Sequence, residues 1–272
     1  MQIVVITGCS EGGIGHYLAQ SFLDAGCIVY PTARRLESME PLNQKNSFPT
    51  KLDVNNPENV KQVIDEIIRV QGRIDILVNN AGVGCVGALI DVPLDTIRSV
   101  YETNVFSIVS ITKTIAPIMA KQGGGKILNV GSIVGDISTP FGSVYSSTKA
   151  AIGMITDGLK MELEPFNIEV CLVQPGAIKS NFGKTAAATM SLPNENSLFW
   201  PYRKQIEARA VASQGFNSTP TKEFADATVK VALRKKLPVR FRYGTYSSIF
   251  SFILMVPYWL RNWVIKRIFL KK

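Results

Sequence analysis

A chain of 272 residues, 46% hydrophobic and 19% charged, can bury one large α/β core and is too apolar for a disordered protein. Its single histidine, His16, and four scattered cysteines, Cys9, Cys27, Cys85 and Cys171, argue against a metal centre and against a disulfide framework. Thiols without CxxC spacing fit a reducing compartment. The net charge is +9, yet eleven basic residues and no acidic one lie between Ala227 and Lys272, so the body of the chain is near neutral. Basic charge among apolar and aromatic residues points to an anionic membrane surface and away from nucleic acid.

Met1 is followed at once by the apolar run 2–6, too short for a signal-peptide core and predicted to be the first strand. Thr7-Gly-Cys-Ser-Glu-Gly-Gly-Ile-Gly15 comes next, then a helical pattern through Ala25. Strand, glycine turn and helix form the setting in which backbone amides and a helix N-terminus hold a pyrophosphate, so a dinucleotide is expected. The second strand, Cys27 to Thr32, ends in Ala33-Arg34-Arg35. With no acidic residue there for a ribose and two arginine forks for a 2′-phosphate, the expected cofactor is NADP(H).

Thr50-Lys-Leu-Asp53 reads as a short third strand ending in a carboxylate able to accept from an adenine amine. Asn56 and Pro57 predict an N-cap and first turn for a helix to about Gln71. The strand Asp75 to Val78 runs into Asn79-Asn80-Ala81-Gly82, small residues suited to a ligand floor. A helix around residues 94–119, a strand from Lys126 to Val130 and Gly131-Ser132 follow. Tyr145 and Lys149 then stand four apart on one helix face, where an ammonium can act on whatever the phenol touches and lower its pKa. A sixth strand, Glu169 to Val173, leads to Pro175-Gly176-Ala-Ile178-Lys-Ser180. This β–α alternation predicts an α/β fold: a single Rossmann-like, doubly wound parallel sheet of about seven strands with helices on both faces. The motifs cluster at the carboxyl ends of its strands.

In order and spacing, the Thr7–Gly15 turn, Asp53, Asn79 to Gly82, Asn104, Ser132, Tyr145, Lys149, Pro175-Gly176 and Ser180 resemble the short-chain dehydrogenase/reductase family over Met1 to about Tyr243. The resemblance implies that Tyr145 exchanges the proton with the substrate oxygen, that Ser132 polarises that oxygen, and that Lys149 binds the nicotinamide ribose. It further implies that Asn104 holds a relay water. Gly8, Ser10, Gly13, Ile14 and Gly15 would wrap the pyrophosphate, Asn80, Ala81 and Gly82 would line the cofactor channel, and Ile178 and Ser180 would hold the carboxamide. One departure is the lengthened turn, with four residues between Gly8 and Gly13 where the family has three. It leaves open which of Ser10, Glu11 and Gly12 meets phosphate. The same turn spells the hydrolase elbow G-x-S-x-G at Gly8 to Gly12, but its triad histidine could only be His16.

After Ser180, residues 181–218 form the expected substrate lid, with Phe182, Met190, Leu192, Leu198, Phe199, Trp200 and Phe216 suggesting an apolar substrate. Arg203, Lys204 and Arg209 there read either as phosphate contacts or as a solvated face. Beyond a catalytic domain of residues 1–243, the tail 244–272 is apolar and basic. Its uncharged run is interrupted by Pro257 and is marginal for a bilayer span, so a hairpin or in-plane membrane anchor is expected, with a true span or a tail that covers a dimer partner as the alternatives. The extended glycine turn, the Arg34-Arg35 pair and the tail look like the fungal NADPH-dependent 1-acyldihydroxyacetone-phosphate reductases. That resemblance implies a lipid-like carbonyl substrate on the cytosolic face of the endoplasmic reticulum or of lipid droplets. A membrane-bound retinol or hydroxysteroid dehydrogenase, and from another class a lipid-surface hydrolase or interaction protein, are the alternatives. The sequence leaves open whether the chain forms a homo-oligomer.

Overall fold

Ile3 and Val5 face one side of the first strand and Val4 and Ile6 the other, and all four are buried. A strand apolar on both faces belongs in the middle of a covered parallel sheet. The computed structural model describes residues 1–211, 215 and 217–270. Along the chain run β1 (Ile3–Thr7), α1 (Ile14–Asp24), β2 (Ile28–Ala33), β3 (Thr50–Lys51), α2 (Pro57–Gln71), β4 (Ile76–Asn79), β5 (Val86–Gly87), α3 (Leu94–Tyr101), α4 (Ser107–Lys121), β6 (Gly125–Val130) and α5 (Ser143–Leu163). There follow β7 (Ile168–Pro175), β8 (Ile178–Lys179), α6 (Phe182–Ala188), β9 (Met190–Ser191), α7 (Arg203–Val211), β10 (Thr219–Pro220), α8 (Thr221–Ala232), β11 (Arg240–Tyr243), α9 (Ser247–Ile253) and α10 (Tyr258–Phe269).

Seven strands form one sheet in the order β11-β7-β6-β4-β1-β2-β3, and every pairing is parallel. The order reverses between β1 and β4, which opens a crevice beyond their carboxyl ends. On one face Leu18 and Phe22 of α1 and Phe224 and Val229 of α8 pack over β1, β4 and β7. On the other, Val60, Val63, Ile64 and Ile67 form the apolar stripe of α2 and meet Ile115 and Met119 of α4. The Asn56 side chain caps α2 by accepting from the Asn59 amide at 2.9 Å, with Pro57 in the first turn, as the sequence predicts.

Two boundaries differ from expectation. The third strand stops at Lys51, which leaves Asp53 in the following loop, its backbone amide bonded by Asn59 at 2.9 Å. The single helix expected around residues 94–119 is interrupted by a π turn at Glu102–Phe106, a form often found at functional sites. Among the described residues Leu94–Lys121 is the one stretch long and apolar enough to cross a membrane, but Ile108, Ile111, Ile115 and Met119 are buried against the sheet.

The tail folds back over the carboxyl edge of the sheet. Its helices are 7 and 12 residues long, short of the ~20 a bilayer crossing requires. Leu270 packs with the lid residues, whereas Phe252, Met255, Tyr258, Trp259, Trp263 and Ile268 are exposed. Phe216, Lys271 and Lys272 lie outside the described residues.

Candidate active site

A cavity of about 450 Å³ lies at the carboxyl ends of the strands, running from Arg34 and Asp53 past the glycine turn to Ser132, Tyr145 and Lys149. At its entrance Gly8 takes a φ of +75°, and a Cβ there would stand 2.8 Å from the Ala81 Cα, so the approach of the two loops demands glycine. The Asn80 side-chain amide fastens them, donating to the carbonyls of Thr7 at 2.8 Å and Gly8 at 3.0 Å. Thr7 answers with its hydroxyl, which accepts from the amides of Asn80 and Ala81, each at 3.0 Å.

The lengthened glycine turn is held from the lid side. Asn181, at the start of the lid, donates from its backbone to the Gly12 carbonyl at 3.0 Å and from its side chain to the Glu11 carbonyl at 2.9 Å. Ser10, Glu11, Gly13 and Ile14 therefore line the cavity and Gly12 does not. Gly15 is also outside the lining; a Cβ there would lie 2.4 Å from the Gly8 carbonyl oxygen, so its role is to let α1 approach the turn. Arg34 lines the cavity, but Arg35, exposed at the start of the 3₁₀ turn Leu36–Leu42, is not part of the lining. Asp53, Asn80, Ala81, Gly82, Pro175, Gly176, Ile178 and Ser180 all border the same space. A glycine cradle, the N-terminus of α1 without a side-chain cap and an arginine at the far end fit a dinucleotide phosphate chain. Ser10 shares its hydroxyl hydrogen bond with Ser38 at 3.1 Å, not with a histidine, and His16 is buried with burial lowering its pKa. The hydrolase relay is not assembled.

At the inner end Tyr145 and Lys149 sit one turn apart on α5, the Lys149 ammonium 5.7 Å from the Tyr145 ring centre. Lys149 is 5% exposed and donates to the Val130 carbonyl at 2.8 Å; burial lowers its pKa to about 8. The Ser132 side chain stands near enough to the Tyr145 phenol to act on it. Contrary to the expectation that Lys149 lowers the phenol pKa, burial pushes it above its ordinary value, with the Arg209 charge and the Ser132 hydroxyl offsetting only part. Desolvation outweighs an ammonium already engaged by a carbonyl. A phenol held protonated is a donor, which is the form a reduction uses.

Asn104 lies behind this row, fully buried in the π turn. Its side chain donates to the Val83 carbonyl at 2.9 Å and to Thr148 at 3.1 Å, and accepts from the Val83 amide at 2.8 Å. These bonds fix the Asn104 side chain in the floor beneath Gly82 and Lys149. Behind Ser132, Gln174 donates to the Ser132 carbonyl at 3.4 Å and to Asp136 at 2.8 Å. Arg242 braces both, reaching Gln174 at 2.8 Å and Asp136 at 2.7 Å, while Arg240 bonds Asp157 at 2.5 Å. Two of the basic residues assigned from sequence to a membrane surface are thus structural ion pairs.

The lid residues divide. Phe182 tilts against Tyr145 with ring centres 5.3 Å apart and lines the cavity. Met190, Leu192 and Phe199 pack around Ile206 behind it, and Leu198 and Trp200 face outward. Arg203 pairs with Glu207 at 3.1 Å and stacks on Trp200, and Lys204 is exposed. Arg209 alone of the three enters the cavity, where Phe250 and Phe269 of the tail complete the wall. Those two phenylalanines, Asp136 and Gln174 were not singled out from sequence; the aromatic content of the tail was visible there, its docking was not.

A Rossmann-type sheet whose glycine turn leads to a Ser–Tyr–Lys row is the arrangement of a nicotinamide-dependent oxidoreductase. The chain matches the short chain dehydrogenase model over residues 2–191. It is 33% identical over 230 residues to an NADPH-dependent 1-acyldihydroxyacetone phosphate reductase of Schizosaccharomyces pombe, covering 83% of this chain and 76% of that protein. It is 32% identical over 243 residues to a 3-ketodihydrosphingosine reductase of Bacteroides thetaiotaomicron, covering 89% and 88%. A short-chain dehydrogenase of Streptomyces avermitilis superposes with a TM-score of 0.80 at 30% identity, covering 92% and 90%. The chain belongs to the short-chain dehydrogenase/reductase family and is an oxidoreductase.

Proposed function

We propose that the protein is an NADPH-dependent reductase of a ketone carried on a long-chain lipid, and that its substrate is a 1-acyldihydroxyacetone phosphate, reduced to the 1-acylglycerol 3-phosphate. The observation that carries this reading is the Ser132–Tyr145–Lys149 row at the end of a cavity walled by Val83, Val86, Phe182, Phe250 and Phe269. Bound NADPH would supply the hydride. Ser132 would hold the carbonyl oxygen, Tyr145 would deliver the proton, and Lys149 would meet the ribose and then favour the phenolate left behind. Arg34 at the opposite end would receive the 2′-phosphate. The name of the fission-yeast relative supports the choice of ester.

The outward face of the tail, with Phe252, Met255, Tyr258, Trp259 and Trp263 exposed beside Arg261, Lys266 and Arg267, suits an in-plane seat on a lipid surface such as the cytosolic face of the endoplasmic reticulum or a lipid droplet. The purified protein should oxidise NADPH in the presence of acyldihydroxyacetone phosphate and turn over all-trans-retinal and a 17-ketosteroid far more slowly. Preferential turnover of retinal or the steroid would replace this reading. The Bacteroides relative adds 3-ketodihydrosphingosine to the panel, and turnover of that ketone alone would move the substrate to sphingoid bases.

A further inference from the structure

Among the described residues three basic side chains line the cavity: Arg34, Lys149 and Arg209. Arg34 sits at the far, exposed end, and Lys149 holds the Val130 carbonyl with one N–H and has the nicotinamide ribose for its others in the proposed reaction. Arg209, on α7, reaches the substrate side close enough for its charge and the Tyr145 hydroxyl to influence each other. An arginine offers five N–H donors. The Arg209 Nε donates, among the described residues, to the Thr139 hydroxyl at 3.2 Å. Among the described residues no carboxylate pairs with this guanidinium, although Arg203 on the same helix has Glu207, and Arg240 and Arg242 have Asp136 and Asp157.

The surroundings are built to hold the group in place. The guanidinium carbon lies over the Phe269 ring, 5.9 Å from its centre. A Cβ on Gly142 would stand 3.1 Å from Nη2, so the absence of a side chain there makes the space. Phe141, in the same loop, adopts a φ of +63°, a strained backbone that folded proteins retain chiefly at functional sites. A partly desolvated cation without a counter-ion is costly unless something supplies the charge.

We propose that Arg209 is the receptor for an anionic group, a phosphate or a carboxylate, borne on the lipid substrate, and that its η nitrogens present the fork to that anion while the apolar walls take the chain. The inference rests on the lipid-ketone reading and adds to it the residue that selects the charged head. It makes the preferred ligand an anionic amphiphile and places the anion beside the carbonyl under reduction, as in a ketone one or two bonds from a phosphate ester. Arg209 is a specificity residue in this account; the proton still comes from Tyr145.

The test is binding of octyl phosphate, octanol and inorganic phosphate to the full-length protein loaded with NADP⁺, by titration calorimetry. Octyl phosphate should bind roughly ten- to a hundredfold more tightly than octanol, and Arg209→Gln should shrink that ratio to about threefold or less, with NADP⁺ affinity unchanged. Arg209→Lys, which keeps the charge and loses the fork, should fall between. Should Arg209→Gln fail to fold, Gly142→Val crowds the guanidinium without removing it and should lose the same preference. Equal affinity for octyl phosphate and inorganic phosphate would show a free-anion site and overturn the proposal. So would a headgroup preference that survives Arg209→Gln. Turnover separates the two readings. A wild type that prefers octyl phosphate but ignores acyldihydroxyacetone phosphate keeps the receptor and loses the substrate; turnover of that ester undiminished in Arg209→Gln keeps the substrate and loses the receptor.

Discussion

The Gln174 side-chain amide donates to the Asp136 carboxylate at 2.8 Å, which ties the end of β7 to the loop that carries Ser132. Gln174 is 1% exposed and Arg242 bonds both partners. Serine therefore meets Tyr145 from a braced loop, not a free one.

Replacing Arg242 with Met should leave Gln174 Oε1 without its donor and cost about 1–3 kcal/mol of stability. It should also lower kcat by roughly tenfold, with NADPH affinity preserved, because the misplaced group is on the carbonyl side. Thermal denaturation and steady-state kinetics would show it; an unaltered kcat would mean the brace does not position Ser132.

Burial holds Lys149 at about 8, below the ordinary lysine value of ~10.4. Between those values the unfolded chain keeps a proton that the folded chain has released, so this residue makes stability rise with pH across that window. Below about 8 the folded protein bears the full cost of a buried ammonium. The difference in Tm between wild type and Lys149→Met should therefore change steadily from pH 8 to 10.5, relatively in favour of the wild type, and be flat below. A difference independent of pH would contradict a buried, depressed lysine.

Arg34 lines the cavity and Arg35 does not. Arg34→Ser should weaken NADPH by roughly ten- to a hundredfold and spare NADH, since a charge-assisted fork to phosphate carries that much energy. Arg35→Ser should change neither by more than about threefold. Fluorescence titration of both cofactors decides it, and the reverse order would assign the phosphate to Arg35.

Removing α9 and α10 by truncation after Thr245 keeps the sheet and the Ala177–Thr245 bridge but strips Phe250 and Phe269 from the cavity wall. NADPH binding should persist, KM for a long-chain ketone should rise by about tenfold, and binding to anionic vesicles should be lost. A truncated protein that still sediments with vesicles would place the lipid contact elsewhere.

Local chemistry was readable in the sequence. The Asn56-Pro57 helix start, the glycine turn after β1 and the spacing of Tyr145 and Lys149 each act over a few residues, and each lies where its pattern predicts. Seven parallel strands followed from the same alternation. What the sequence did not carry were relations between distant segments. Arg240 and Arg242 counted as tail charge until β11 set them opposite Asp157 and Asp136. Arg209 could not be told from Arg203 and Lys204, because only the packing of α7 decides which one faces inward. The tail was apolar on any reading, but its fold back onto the cavity brings Phe269 to Arg209 and Leu270 to the lid, contacts with no local signature.

In the proposed reduction of a lipid ketone Tyr145 donates the proton. Single-turnover oxidation of NADPH by Tyr145→Phe, set beside its NADPH affinity, tests this most directly. The hydride-transfer rate should fall by roughly 10²–10⁴-fold with cofactor affinity nearly unchanged. A rate within about threefold of wild type would show that the proton has another source, and the role of Tyr145 would have to be abandoned.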